Sequence, residues 1–229
     1  MKPIIWIDGI IGAGKTTITK EIAKILNFRP ILEPVDSNPY LASFYKDPKR
    51  WAFSMQMDLL LKRYAIHKLA NMEAMSDSSQ FNGVIIDRGI PGDRVFAKTA
   101  YLAGNISELE WGTYERAFDY LTYNLGAPNL LIFLDVDPKV AKNRLESRNR
   151  SAEEGIPLEY FEKLHRGYLD VLTEIDSGNL VWAKGVEIMK VGWNTDHLPI
   201  DEITGKLKRK FNIETSGFRQ LNLKKFFNE

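Results

Sequence analysis

The stretch Gly9-Ile10-Ile11-Gly12-Ala13-Gly14-Lys15-Thr16 constrains this chain more than any other. Gly9 and Gly14 bracket four residues and Lys-Thr follows. An apolar run, Pro3 to Ile7, precedes it, and helical periodicity runs on from Thr17 to Leu26. That strand–turn–helix setting is what a phosphate-binding loop requires. Glycines let the backbone fold tightly enough for several N–H groups to converge on phosphate oxygens. The following helix adds the positive end of its dipole. Lys15 is placed to bridge the terminal phosphates and Thr16 offers a hydroxyl to magnesium. Gly9, Gly12, Ala13, Gly14, Lys15, Thr16 and Thr17 are thus the expected donor-phosphate residues. The chain is expected to bind a nucleoside triphosphate, and the remaining question is the acceptor.

Composition narrows that question. With 229 residues, 44% apolar and 27% charged, the chain suits one α/β domain spanning 1–229 with a substantial core. A net charge of +1 predicts no bulk attraction to a nucleic acid polymer or a membrane surface. The absence of cysteine excludes disulfides, thiolate catalysis and cysteine zinc sites. His67, His165 and His197 stand in no metal-ligand spacing and read as packing or surface residues. No apolar run approaches bilayer length, and the chain enters its first strand without a leader pattern, so a cytoplasmic location is expected.

Three further apolar segments read as strands, Pro30 to Leu32, Gly83 to Ile86 and Leu130 to Leu134, ending at or beside Glu33, Asp87 and Asp135. Val186 to Val191 is a fifth. Helical patterns cover about 15–26, 38–46, 49–76, 91–104, 107–124, 137–148 and 157–176. The alternation predicts a parallel sheet of about five strands with helices on both faces. Ligands in such sheets lie beyond the carboxyl ends of the strands, where the phosphate loop, Glu33 and Asp87 converge. The basic run Lys206 to Lys210 reads as the solvated face of a late helix, and the tail 213–229 carries no legible pattern.

The acceptor half is read from three places. Glu33, at a strand end facing the donor, suits a general base toward an acceptor hydroxyl, though a cap or surface role is open. Asp87 suits magnesium held through water, and Arg88 offers a permanent fork of donors to phosphate or hydroxyl; a structural Asp–Arg pair is the plain alternative. Arg144 and Arg148 lie one helical turn apart, and Arg150 follows where the pattern fades into Ser151 to Gly155. Residues 148–156 read as a lid whose arginines neutralise the phosphoryl group in flight, against the alternative of a solvated face.

The order of these pieces resembles the deoxynucleoside kinases, in the branch that takes deoxycytidine, deoxyguanosine and deoxyadenosine, with bacterial or phage members nearest in pattern. The resemblance covers about residues 1–175. It rests on the phosphate loop, Glu33-Pro34-Val35, the run from Asn38-Pro39-Tyr40 through Tyr45-Lys46-Asp47-Pro48 to Trp51-Ala52 and Gln56, on Asp87-Arg88, and on the arginine-rich segment. It implies ATP as donor, magnesium as cofactor, a deoxynucleoside acceptor, a homodimer and a salvage role. Glu33 would be the base for the 5′-hydroxyl. Tyr45 and Glu153 would grip the 3′-hydroxyl, and Gln56 would pair with the base edge. Arg63 and Asp93 would form a pair that crowds a thymine methyl. Phe96 would stack on the base, and Arg144, Arg148 and Arg150 would be lid arginines. Tyr45 and Phe96 stand equally as core aromatics, and Trp51 reads as packing.

Several positions depart from the pattern. Ile10 replaces an asparagine in the loop, Asp87 a glutamate, Gly89 and Pro91-Gly92 a serine-containing segment, and Asn38 a tryptophan of animal members. The loop at Trp193 to Asp196 is a candidate for the donor's adenine. The expected activity is phosphoryl transfer from ATP to a deoxynucleoside, a purine or deoxycytidine, with Lys15, Glu33 and Arg88 as catalytic residues. Two alternatives stay open: a thymidylate-type monophosphate kinase, and a non-catalytic structural relative.

Overall fold

The computed structural model describes residues 1–33, 38–123, 125–147, 155–178, 180–195 and 197–213. Five strands form one parallel sheet: β1 (Ile4–Asp8), β2 (Phe28–Ile31), β3 (Gly83–Asp87), β4 (Leu130–Asp135) and β5 (Glu187–Gly192), in the spatial order β2-β3-β1-β4-β5. Every residue of β1 and β3, and Leu130 to Leu134 of β4, is buried, so these strands read as unbroken apolar runs rather than alternating ones. This is why they stand out in the sequence as apolar segments. β2 is the exception. It begins two residues earlier than expected and is short, exposes Arg29 and Pro30, and lies at the sheet edge. Its proline there sits where a missing N–H is tolerated.

Eight α-helices join the strands among the described residues: α1 (Lys15–Leu26), α2 (Leu41–Lys46), α3 (Pro48–Met75), α4 (Ile90–Leu102), α5 (Glu108–Tyr123), α6 (Pro138–Glu146), α7 (Leu158–Asp176) and α8 (Ile200–Phe211). Helices α1 and α8 pack together, while α3, α4, α5 and α7 pack among themselves against the sheet. Local chemistry sets the boundaries. Asn27 and Asn212 end α1 and α8 in left-handed conformation, the geometry asparagine tolerates best after glycine. Asp47 caps α3 by accepting from the Arg50 amide at 3.2 Å, with Pro48 at the first helical position. Helix α2 starts three residues later than its periodicity predicts. The Asn38 side chain accepts the Tyr40 N–H at 2.8 Å and holds that stretch as a turn. The basic run of α8 is indeed solvated, Lys206 and Lys210 pairing with Glu202 and Glu187. No described helix is long and apolar enough to cross a membrane.

The chain leaves β1 for β2, returns to β3 between them, and then crosses to β4 on the other side. The reversal places a crevice beyond the carboxyl ends of β1, β3 and β4, where an open α/β sheet binds its ligand. The register aligns Ile7 with Asp87 and Asp8 with Phe133, so the residues after each strand face one another across that crevice.

Candidate active site

The phosphate loop occupies the end of β1. Gly9, Gly12 and Gly14 all have positive φ, with values of 149°, 76° and 88°. An added Cβ at Gly12 would lie 2.1 Å from the Ala141 carbonyl oxygen of α6, and one at Gly14 would lie 2.3 Å from the Trp193 ring. Two demands coincide there, an inverted backbone and close packing. Lys15 donates to the carbonyls of Gly9 and Ile10 at 3.0 and 2.9 Å. Burial, reinforced by Arg88, lowers its ammonium to about 7. The Thr16 hydroxyl donates to Asp87 Oδ2, and Asp87 Oδ1 is buried with no partner among the described residues.

A cleft of about 380 Å³ runs from this loop toward the acceptor side. Glu33 stands in it as a bridge between two arginines. Arg63 donates to one carboxylate oxygen and Arg88 Nε donates to the other at 2.9 Å. Burial alone would raise the Glu33 pKa, but Arg88, Arg63 and Lys15 more than offset that and hold the carboxyl well below the usual carboxylate range. Arg63 also pairs with Asp93, which is wholly buried. Burial pushes the Asp93 carboxyl up, against the pull of Arg63. Arg88 has a φ of 76°, in the left-handed region for a side chain far from glycine. Its amide donates to the Ile7 carbonyl at 2.9 Å and the Phe96 ring lies against its guanidinium at 4.7 Å.

Helix α3 carries the other wall. Its buried stripe runs Ala52, Met55, Gln56, Leu60, Arg63, His67, Ala70, Ala74. Polar residues on a core-facing stripe signal a lined site rather than plain packing. Gln56 Oε1 and Arg63 Nε are buried without partners among the described residues. His67 fits packing, as expected: burial and Arg63 lower it to about 3, so it is neutral, edge-on to Trp6 at 4.7 Å.

The structure brings together Gly12, Gly14, Lys15, Thr16, Glu33, Tyr45, Gln56, Arg63, Asp87, Arg88 and Phe96, named from the sequence, around one cleft. Gly9 and Ala13 are buried within the loop and do not line the cleft, Asp93 sits behind Arg63, and Thr17 faces solvent. Trp51 packs as expected, against Tyr40 at 5.7 Å and the Arg50 guanidinium at 5.0 Å. Arg144 does not line the cleft. It donates to the Thr195 carbonyl at 2.9 Å and lies over the Trp193 ring at 4.6 Å. Arg148, Arg150 and Glu153 lie outside the described residues, as do most of the 148–156 segment, Asp196 and the tail beyond 213. Sequence reasoning missed Lys20, Leu41, Phe44 and Tyr160, which line the cleft, and gave Asn38 no role although its amide nitrogen is buried there without a partner among the described residues. Tyr160 had no legible signal, since one tyrosine in an amphipathic helix reads as core.

Comparison with known proteins shows the family and the fold. The deoxynucleoside kinase family model matches residues 5–210. The chain is 36% identical over 191 residues to the deoxyguanosine kinase of Dictyostelium discoideum, covering 83% of this chain and 64% of that protein's length. It is 36% identical over 167 residues to the deoxyadenosine/deoxycytidine kinase of Bacillus subtilis, covering 72% of this chain and 74% of the relative. Among solved structures, M. mycoides deoxyadenosine kinase with bound dCTP superposes with a TM-score of 0.74 at 30% identity, covering 90% of this chain and 99% of that one. The chain belongs to the deoxynucleoside kinase family. It has the five-stranded parallel α/β sheet of a phosphate-loop kinase, and the reading of the sequence as a phosphotransferase of that family is borne out.

Proposed function

We propose that this chain transfers the γ-phosphate of ATP to the 5′-hydroxyl of a 2′-deoxynucleoside, a purine or deoxycytidine. One observation carries the reading: the Glu33 carboxylate is clamped by Arg63 and Arg88 in the same cleft whose other end is the phosphate loop. Lys15 and the loop amides hold the donor phosphates, and Arg88 neutralises charge that develops during transfer. Glu33 orients the acceptor hydroxyl and takes its proton. Its depressed pKa makes it a weak base, which suits a loose phosphoryl-transfer transition state in which positioning outweighs proton abstraction.

The residues fit a magnesium ion carried on the donor phosphates. No group of three or more His, Asp or Glu among the described residues is placed to hold a metal. Thr16 and the buried, unpartnered oxygen of Asp87 supply the two contacts such an ion takes from protein, the latter through water. When bound, magnesium would supply positive charge that offsets the negative charge of the donor phosphates.

The base preference is supported by the relatives named for deoxyguanosine, deoxyadenosine and deoxycytidine. It is also supported by the unpartnered donor of Arg63 and acceptor of Gln56 at the α3 wall, which an amino-bearing base edge would satisfy. Tyr45 on the cleft wall suits the sugar 3′-hydroxyl, with Glu153 as the second grip, and Phe96 the base face. The homodimer rests on the family alone, and sedimentation equilibrium of the pure protein tests it. A panel of four deoxynucleosides, ribonucleosides and monophosphates, each with ATP and magnesium, tests the activity. Deoxynucleosides should be phosphorylated; activity confined to monophosphates would shift the reading to the thymidylate type. Glu33→Gln should lower turnover at least about a hundredfold with ATP affinity nearly intact.

A further inference from the structure

We infer that Tyr168, with Asp8 behind it, is a positioning residue that locks Arg88 onto Glu33 and ties the acceptor half of the site to the phosphate loop. The inference rests on the kinase reading above. Asp8 is the last residue of β1, is 1% exposed, and immediately precedes the loop. Its Oδ1 accepts the Gly9 N–H at 3.0 Å and the Tyr168 hydroxyl at 2.6 Å; its Oδ2 accepts the Gly92 N–H at 3.2 Å. The Tyr168 oxygen in turn accepts from Arg88 Nη1 at 3.0 Å. Arg88 then donates through Nε to Glu33. An unbroken buried chain therefore runs from the first loop glycine through Asp8, Tyr168 and Arg88 to the acceptor carboxylate.

The hydroxyl suits this joint because it donates and accepts at once. Burial pushes its ionisation well above the ordinary tyrosine value, so it keeps the proton it gives to Asp8. The Arg88 backbone is strained, and its guanidinium is held by Phe96 on its face, Glu33 at one edge and Tyr168 at another. Without the hydroxyl that second edge is free and the fork swings. Gly92 shows how tightly the joint is closed. A Cβ there would lie 2.7 Å from the Tyr168 oxygen, 3.0 Å from Arg88 Cγ and 3.1 Å from Asp8 Oδ1. Tyr168 carries no signal in sequence, since it falls on the buried stripe of α7 among Phe161, Leu164, Val171 and Leu172.

Tyr168→Phe removes the hydroxyl and keeps the ring against Phe133. Deoxynucleoside phosphorylation by the variant should show a roughly tenfold lower kcat with KM for nucleoside and ATP within about twofold. In an Arg88→Lys background the same change should cost less than about twofold further, because Tyr168 acts through the guanidinium. Unchanged kcat, a loss confined to KM, or losses that multiply in the double variant would overturn the inference. If Tyr168→Phe yields no folded protein, Gly92→Ala displaces the same oxygen from outside and should give the same kcat loss; full activity there would overturn it equally. Wild-type protein assayed alongside separates the two levels. Should it phosphorylate no deoxynucleoside, the kinase reading itself falls, and with it this role.

Discussion

Lys15 illustrates how burial prepares a residue for its ligand. Its ammonium sits among loop carbonyls with Arg88 nearby, and burial brings it to about 7. The charge is present below that pH and is lost as pH rises through it. A bound triphosphate favours the charged form, so binding at pH 8 should draw up about one proton, and binding at pH 6 almost none. Calorimetry of ATP binding in buffers of different ionisation enthalpy, with Lys15→Met as reference, checks this; equal uptake at both pH values would contradict it. At this scale the sequence was partly legible. Lys15, Thr16, Glu33 and Arg88 carry their chemistry in residue type and in position after a strand. Asn38 and Tyr160 do not, because a polar or aromatic residue near a helix start takes its meaning only from the wall it joins.

The phosphate loop is held in shape by its neighbours as much as by its own glycines. Gly12 presses on the backbone of α6 and Gly14 on Trp193, which the Arg144 guanidinium covers on its face. An alanine at position 12 meets both a positive φ and a carbonyl that cannot retreat without moving α6. Gly12→Ala should therefore destabilise by about 2 kcal/mol or more in urea unfolding and weaken ATP binding. A neutral effect would mean that α6 yields easily. Central strands were readable because burial on both faces makes them continuous apolar runs. Edge strand β2, with two of its four residues exposed, gave a weaker and shifted signal. On α3, Gln56 and Arg63 were named through the family resemblance, and both prove to lie on its buried stripe.

Across the whole molecule, catalytic groups and core are separate investments of sequence. Tyr114, Phe118 and Trp182 do not line the cleft; Phe118, 1% exposed, stacks on Tyr114 and stands edge-on to Trp182. Phe118→Ala should cost about 3–5 kcal/mol in denaturant unfolding, yet leave turnover near normal where the variant remains folded. Lost turnover at full folding would show that this cluster reaches the site. The sheet order could not be read from strand positions alone, because parallel strands are joined by crossovers that leave no mark of which neighbour they skip. The same order leaves β2 outermost, with Pro30 in its middle. A rim lacking one amide cannot template a sixth strand from another molecule, so concentrated solutions of this protein are guarded on that side against ribbon-like self-association.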